Sequence, residues 1–293
     1  MGFKIAVIGA RGQLGSEVMR AAAAASVEAI PINREQCDVR DERAVRSAFE
    51  KIAPLDLVVN TAAFHRVDDC ESRPGTATAV NVRGAYNVAN AARAAGAATA
   101  FISSDFVFDG SKGAPYVESD EPAPLNVYGA TKAAGEAVTR LANPKSYVLR
   151  IASVFGPAGS SGKGGNFVET MIAKARAGER PAVRDDLIMS PTSAADAAGL
   201  LVELLRRRAP PGAYHLSNAG QCSWREFADV IFELSGSPLR AEPARNADTP
   251  DRARRPRFSA LASERLGELG LAARPWREAL AEHLTLRGYR DAG

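Results

Sequence analysis

The sequence is poor in the side chains that build metal sites and disulfide frameworks, and it carries little net charge. Its 293 residues include three cysteines without a C-x-x-C pair and three histidines far apart along the chain, so neither a metal site nor a disulfide framework is expected. The net charge of only +3 gives no reason to expect a nucleic acid or a membrane surface as a partner.

Long apolar runs and targeting signals are also missing. No segment approaches about 20 consecutive apolar residues, and no signal-like region precedes the first predicted strand. Position 6 is alanine, so the start lacks the serine or threonine of a myristoylation motif. The default expectation is therefore a cytoplasmic globular protein, with a chain long enough to bury a full core.

Short apolar, partly β-branched runs alternate with helical stretches through the first half of the chain. The predicted strands are 4–8, 27–32, 55–60, 98–103 and 146–151, and the predicted helices are 13–25, 42–52, 75–95 and 128–142. This rhythm predicts an α/β fold with a Rossmann-type, doubly wound parallel sheet. After Gly156 the composition changes. The Gly- and Ser-rich residues 159–165 indicate either a plain linker or a lid, and the Arg-rich C-terminal third is predicted to be helical.

A glycine-rich turn follows the first predicted strand, with Gly9, Gly12 and Gly15 at a spacing of three. The first glycine allows a tight turn, the second allows the backbone to approach a pyrophosphate, and the third allows the helix to pack on the strand. Arg11 stands where the usual G-x-G-x-x-G motif has its middle glycine. Such a turn can simply join a strand to a helix, but at the start of an α/β pattern it favours a dinucleotide site.

The end of the second predicted strand bears on the choice of dinucleotide. Asn33 and Arg34 stand there, with no aspartate to bond a ribose 2′-hydroxyl. Arg34 is a candidate partner for a 2′-phosphate, although Glu35 is a nearby competitor and Arg34 could simply be solvated. The predicted cofactor is NADPH, with NADH possible.

Tyr128 and Lys132 lie four residues apart and therefore share one face of a predicted helix. An ammonium beside a phenol is expected to lower the tyrosine pKa, which suits proton transfer to or from a carbonyl or alcohol oxygen. Ser104 follows the fourth predicted strand, where it can bond a substrate oxygen. Each residue alone could be a cap or a surface residue, but the three in this order indicate a catalytic set.

Together these motifs resemble the dTDP-4-dehydrorhamnose reductase family of extended short-chain dehydrogenases/reductases. The matching segments are the glycine turn and residues 60–63, 67–68, 103–110, 124–136, 149–150, 166–168, 190–192, 212–217, 223–228 and 255–261. The resemblance implies NADPH-dependent reduction of the 4-keto group of a dTDP-linked 6-deoxy sugar. It casts Tyr128 as the general acid, Lys132 as the partner of the cofactor ribose, and Ser104 as a donor to the keto oxygen.

The resemblance also implies the ligand contacts and the domains. The expected cofactor contacts, besides Tyr128 and Lys132, are Gly9, Arg11, Gly12, Gln13, Leu14, Arg34, Asp38, Val39, Ala62, Ala63, Phe64 and Ser103. The expected substrate contacts, besides Ser104, are His65, Val67, Asp68, Asp105, Phe106, Ser153, Asn166, Arg184 and Arg255. We predict a Rossmann domain at 1–158, joined again by 183–208, and a smaller, mostly helical substrate domain at 159–182 and 209–293. A homodimer is possible.

Three departures from the family leave the exact sugar nucleotide open. Phe106 stands where tyrosine is common, Ser153 where tryptophan is common, and His65-Arg66 replaces a smaller, less polar pair. Arg255 either belongs to a solvated basic loop or neutralises a substrate diphosphate, with Arg184 as a second candidate. Two alternative functions remain: an epimerase or dehydratase with the same three residues, and a non-catalytic, NADP-binding regulatory subunit.

Overall fold

The computed structural model describes residues 3–159, 165–244 and 252–290. The strands are β1 (Lys4–Ile8), β2 (Glu28–Ile32), β3 (Leu57–Asn60), β4 (Ala98–Ser104), β5 (Ser146–Ile151), β6 (Val154–Phe155), β7 (Ala182–Arg184), β8 (Ile188–Met189), β9 (Thr192–Ser193), β10 (Gly212–His215), β11 (Cys222–Ser223) and β12 (Glu242–Ala244). The helices are α1 (Gln13–Ala24), α2 (Glu42–Ile52), α3 (Val67–Ser72), α4 (Pro74–Thr78), α5 (Gly84–Ala94), α6 (Val127–Ala142), α7 (Phe167–Arg176), α8 (Ala194–Arg206), α9 (Trp224–Leu234), α10 (Glu264–Glu268) and α11 (Trp276–Leu286). A π-helical turn, Ala79–Arg83, joins α4 to α5, and a 3-10 turn, Asp105–Val107, follows β4.

Six parallel strands form the central sheet in the order β2-β1-β3-β4-β5-β10. Side chains alternate between its two faces, so Ile5 and Val7 join the core under α1 and α8, whereas Ala6 and Ile8 join the core under α2 and α5. The strand order reverses between β1 and β3, and ligands bind outside the carboxyl edge at such a point. The predicted doubly wound α/β fold is confirmed.

The sixth strand comes from a segment that is expected to belong to the substrate domain. Gly212–His215 pairs with β5 and completes the sheet. Its sequence, Gly-Ala-Tyr-His, contains no β-branched residue, so pairing with the buried β5 rather than local propensity makes it a strand. The predicted helical stretch at 75–95 is helical from Pro74 to Ala94, with a π-helical turn at Ala79–Arg83 between α4 and α5.

A second apolar cluster lies outside the sheet. It is built mainly from α7, α9 and α11, and it includes Met171, Phe227 and Leu280. Val183 and Met189 also belong to it, whereas the side chains of α8 pack in the core beside α1. We keep the two-domain division as a proposal, with the return to the Rossmann domain beginning at α8.

Two segments lie outside the described ranges. They are residues 160–164 of the predicted loop and residues 245–251 of the Arg-rich C-terminal third. Within the described ranges, no helix is both long and apolar enough to cross a membrane.

Candidate active site

The glycine turn has the geometry of a phosphate-binding loop. Gly9 has a φ of +76°, which favours glycine, and its N–H donates to the Ile32 carbonyl oxygen at 2.8 Å. A Cβ atom on Gly15 would overlap the Gly9 carbonyl oxygen, so only glycine lets α1 approach β1 this closely. Gly12 is the N-cap of α1, and no side chain caps the first turn of this helix. The free N–H groups there suit a pyrophosphate, so the residues present fit a dinucleotide.

Two exposed arginines stand beside this turn, at the ends of β1 and β2. Arg11 Nη1 lies 3.8 Å from a carboxylate oxygen of Glu35. The predicted competitor for Arg34, Glu35, is therefore oriented towards Arg11 instead. Arg34 is exposed.

Four of the expected cofactor contacts use their side chains elsewhere in the structure. Gln13 Nε2 donates to the Val154 carbonyl oxygen at 2.7 Å, and Leu14 and Val39 pack in the core. Hydrogen bonds from the Arg40 side chain lower the pKa of Asp38 to about 2. These residues can contact a cofactor mainly through their backbone atoms.

The loop after β3 is held by a residue that the sequence interpretation overlooked. Asn81, in the π-helical turn, accepts from Phe64 N at 2.8 Å and donates to the Phe64 carbonyl oxygen at 3.1 Å. It also donates to Thr131 Oγ1 at 3.0 Å, which ties the loop to α6. Ala62 N donates to Asn60 Oδ1 at 3.1 Å. Asn81 is fully buried, and its place between Val80 and Val82 was the available signal in the sequence.

Ser104 and Tyr128 are brought together where α6 begins. The Asn126 side chain caps α6 by accepting from Gly129 N at 2.8 Å. A Cβ atom on Gly129 would overlap the Phe106 carbonyl oxygen, so the helix start lies directly against the turn after β4. Tyr128 is half-buried, and the Ser104 side chain lies close enough to its phenol to oppose the rise in its pKa.

Lys132 is buried one turn further along α6, but it is not directed at the phenol. Its Nζ donates to the Ile102 carbonyl oxygen and lies 4.1 Å from the centre of the Phe101 ring. Burial lowers the pKa of Lys132 to about 7, which Glu136 partly opposes. Burial, together with the charges of Asp105 and Cys70, raises the pKa of Tyr128.

The expectation that Lys132 lowers the Tyr128 pKa is therefore wrong for this arrangement. The lysine ammonium is engaged by a backbone carbonyl, and desolvation dominates at the phenol. The spacing of four residues predicted the shared helix face but not the direction of the lysine side chain.

A buried ion pair lies beneath this cluster. Glu136 accepts from Ser103 Oγ at 2.5 Å and from Arg150 Nε and Nη2 at 2.9 and 2.8 Å. All three side chains are buried. The Ser103 hydroxyl is thus committed to Glu136, so a cofactor contact by Ser103 would use its backbone.

Three of the expected substrate contacts form a chain that begins at Tyr128. The Phe106 ring packs edge-on against it, with ring centres 5.8 Å apart, and the Arg255 guanidinium lies 5.9 Å from the centre of the Phe106 ring. Asp68 accepts from Arg255 Nη2 at 3.1 Å, whereas Arg255 Nη1 is buried and has no hydrogen-bond partner among the described residues. This orphan donor is the strongest local sign of a missing anionic group.

The remaining expected substrate contacts have local roles. Asn166 caps α7 and donates to the Gly156 carbonyl oxygen at 2.7 Å, and Arg184 forms a two-point ion pair with Asp186. Ser153 has a φ of +44°, in the left-handed region. The rim of the loop after β3 carries His65, which is half-buried, and Val67, the first residue of α3.

These features define a class, a Rossmann-type oxidoreductase with serine, tyrosine and lysine near the carboxyl edge of the sheet. Among the residues described, no group of three or more His, Cys, Asp or Glu could hold a metal ion. The protein family described as RmlD substrate binding domain matches residues 3–287. The chain belongs to the dTDP-4-dehydrorhamnose reductase family, as the relatives below also show.

The spore coat polysaccharide biosynthesis protein SpsK of Bacillus subtilis is 39% identical over 284 residues, covering 97% of this chain and 98% of that protein. The dTDP-4-dehydrorhamnose reductase of Mycolicibacterium smegmatis is 37% identical, covering 96% of this chain and 85% of the relative. The crystal structure of the Bacillus anthracis dTDP-4-dehydrorhamnose reductase in complex with NADP superposes with a TM-score of 0.91 at 32% identity, covering 98% of this chain and 100% of that one. The predicted family and enzyme class are confirmed.

Proposed function

We propose that the protein uses NADPH to reduce the 4-keto group of a dTDP-4-keto-6-deoxy sugar, converting dTDP-4-dehydrorhamnose to dTDP-L-rhamnose. The observation that carries this proposal is that Ser104 and Tyr128 lie together where α6 begins, with a glycine turn at the same edge of the sheet that fits a dinucleotide. When bound, the nicotinamide supplies a hydride. The protein must supply the proton and stabilise charge on the substrate oxygen.

Tyr128 is suited to the proton-donating direction of this chemistry. Because its pKa is raised, it keeps its proton at neutral pH, as a general acid for reduction requires. Ser104 offers a second donor to the same oxygen, and two fixed donors stabilise a developing alkoxide in the manner of an oxyanion hole. Lys132 is proposed to hold the cofactor ribose and to support the floor of the site.

The preference for NADPH is supported by charge around the turn. Arg34 and Arg11 are two exposed cations at the ends of β2 and β1, where a ribose 2′-phosphate is expected. The relative from Bacillus anthracis was solved with NADP. We propose Arg34 as the principal partner of the 2′-phosphate, with Arg11 beside it.

The substrate diphosphate is proposed to bind Arg255. Asp68 holds one guanidinium nitrogen, and the other, Nη1, has no partner among the described residues. A phosphate oxygen at Nη1 would satisfy this donor with a charge-assisted hydrogen bond. Phe106 lies beneath the guanidinium and beside Tyr128, so the anion site adjoins the reaction site.

A stoichiometric assay tests the function. The protein is incubated with NADPH and dTDP-4-keto-6-deoxy-L-mannose, and both the sugar product and the oxidised cofactor are measured. One NADPH oxidised per sugar supports the reductase. Sugar conversion without net oxidation supports an epimerase or dehydratase. Tight NADP binding without turnover of any keto sugar nucleotide, together with a co-purifying protein, supports a regulatory subunit.

A further inference from the structure

A buried carboxyl group joins the catalytic serine to a residue far along the chain. Asp105 is only 3% exposed, and each of its oxygens accepts one hydroxyl. Ser104 Oγ donates to Oδ1 at 2.9 Å, and Ser259 Oγ donates to Oδ2 at 2.6 Å. The Ser104 side chain also lies beside the Tyr128 phenol, where it opposes the rise in the tyrosine pKa, so the chain of contacts reaches the general acid.

The direction of these hydrogen bonds conflicts with the reduction. A serine hydroxyl has one proton to donate. While Ser104 donates to an ionised Asp105, it can accept from Tyr128 and from Phe106 N, at 3.2 Å, but it cannot donate to a substrate oxygen. The conflict disappears if Asp105 is neutral and carries its proton on Oδ1, because Asp105 then donates to Ser104 and releases the serine proton.

We infer that Asp105 works as a neutral acid that donates from Oδ1 to Ser104, and that Ser259 is the positioning residue that directs the proton to Oδ1. Donation from Ser259 makes Oδ2 the accepting, carbonyl-like oxygen, which leaves Oδ1 as the protonated one. The Asp105 proton is not consumed, because Tyr128 supplies the proton that reaches the substrate oxygen. This inference rests on the proposed reduction.

The surroundings of Asp105 favour the neutral form. Burial raises its pKa to about 6, although the hydrogen bonds from Ser259 and Ser104 act in the opposite direction. The ionisable residues on the elements around this turn are Tyr128, Lys132, Glu136 and Arg140 of α6, Asp68, Asp69, Cys70 and Glu71 of α3, and Arg255 and Arg257 on the segment that carries Ser259. Lys132 donates to a backbone carbonyl and Arg255 to Asp68, so no cation within the described ranges donates to Asp105.

The segment that carries Ser259 offers a matched control. Ser259 N donates to the Ile188 carbonyl oxygen at 2.8 Å, and two residues later Leu261 N donates to Ser190 Oγ at 3.2 Å. Ser190 is therefore a buried serine that anchors the same segment without touching Asp105. Ser190→Ala loosens this anchor, whereas Ser259→Ala removes the contact with the carboxyl group.

Infrared titration of the protein without substrate reads the protonation of Asp105 directly. The carboxylic-acid stretch that disappears in Asp105→Asn should titrate in the wild type near pH 6. Ser259→Ala should move this midpoint upward, because it removes a hydrogen bond that stabilises the carboxylate, and Ser190→Ala should leave it in place. A wild-type midpoint near that of an ordinary aspartate, about pH 4, or no shift in Ser259→Ala would overturn the inference.

Kinetics give the second readout. Since wild-type kcat needs neutral Asp105, it should fall as pH rises through the Asp105 pKa. In Asp105→Asn the amide can donate to Ser104 permanently and accept from Ser259, so kcat should stay level to about pH 8 and exceed the wild type there by about 10- to 100-fold. Below about pH 6, where Asp105 is neutral in both proteins, Ser259→Ala should lower kcat roughly tenfold with little change in KM because the proton is no longer directed to Oδ1, and Ser259→Thr should restore kcat.

Loss of activity in Asp105→Asn at every pH would also overturn the inference. Absence of turnover by the wild-type protein would count against the proposed reduction instead. In that case the infrared midpoint still decides whether Asp105 and Ser259 share a proton in the way described, because that measurement uses no substrate.

Discussion

Two neighbouring serines at the end of β4 lead to two buried carboxyl groups with different partners. Ser103 donates to Glu136, which also receives two hydrogen bonds from Arg150. Ser104 donates to Asp105, whose other partner is an uncharged hydroxyl. The first carboxylate has a buried cation to balance it, whereas the second receives no hydrogen bond from a cation in the part of the chain that the structure describes.

This difference separates a structural cluster from a chemical one. A buried carboxylate with a two-point arginine partner is held in one geometry and joins α6 to β5. A buried carboxyl without a cation has a raised pKa, and strongly shifted groups of this kind gather at functional sites. Side chains alternate along a strand, so the two serines lie on opposite faces of β4 and have different partners.

The largest expected effect is on the chemical side of this comparison. Tyr128→Phe removes only the phenolic oxygen and keeps the ring that packs edge-on against Phe106. We expect normal folding and NADPH binding, and a fall in kcat of about 10²- to 10⁴-fold, because the general acid is lost. NADPH consumption and thermal unfolding measure the two properties, and full activity in the variant would refute the mechanism.

The structural side of the comparison is tested by removing the ion pair between Glu136 and Arg150. Arg150→Met leaves Glu136 buried without its two-point partner, although Arg140 remains at 3.7 Å, and should lower the free energy of unfolding by about 3–5 kcal/mol. The double variant Glu136→Gln, Arg150→Met removes both charges and should recover most of this loss. Urea denaturation measures both values. Equal destabilisation in the single and double variants would show that packing rather than charge is responsible.

The two serines give the direct test of the comparison. Ser104→Ala should lower kcat by roughly tenfold, less than Tyr128→Phe because the phenol still donates, with little change in stability. Ser103→Ala should act mainly on stability, by about 1.5–3 kcal/mol, because it removes a hydrogen bond to a buried charge. Urea unfolding and kcat are measured for both variants. Similar changes in stability and in kcat for Ser103→Ala and Ser104→Ala would contradict the assignment of one serine to structure and the other to chemistry.

Most of the sheet could be predicted because the residues of its strands favour strand structure by themselves. β1 and β5 are apolar runs rich in β-branched or aromatic residues, and α2 begins after a capping aspartate, so these elements have the predicted bounds. β10 could not be predicted in this way, because its strand character comes from pairing with β5.

The site shows the same limit. The spacing of Tyr128 and Lys132 and the position of Ser104 are local features, and the sequence displays them. The contact of Ser259 with Asp105 spans 154 residues, so no local pattern signals it. The orientation of the Lys132 side chain could not be predicted either, because the Ile102 carbonyl and the Phe101 ring that contact it belong to β4.

The smallest effect we predict concerns affinity rather than catalysis, at the rim where charge is exposed. Arg255→Ala should weaken substrate binding by roughly tenfold, since one charge-assisted contact with the diphosphate is lost, and should leave NADPH binding nearly unchanged. Arg34→Ala is the reciprocal control, because it should weaken NADPH relative to NADH and spare the substrate. Calorimetry with each ligand separates the two. Equal substrate affinity in Arg255→Ala and the wild type would assign this arginine to the solvated basic segment, where its ion pair with Asp68 is its only role.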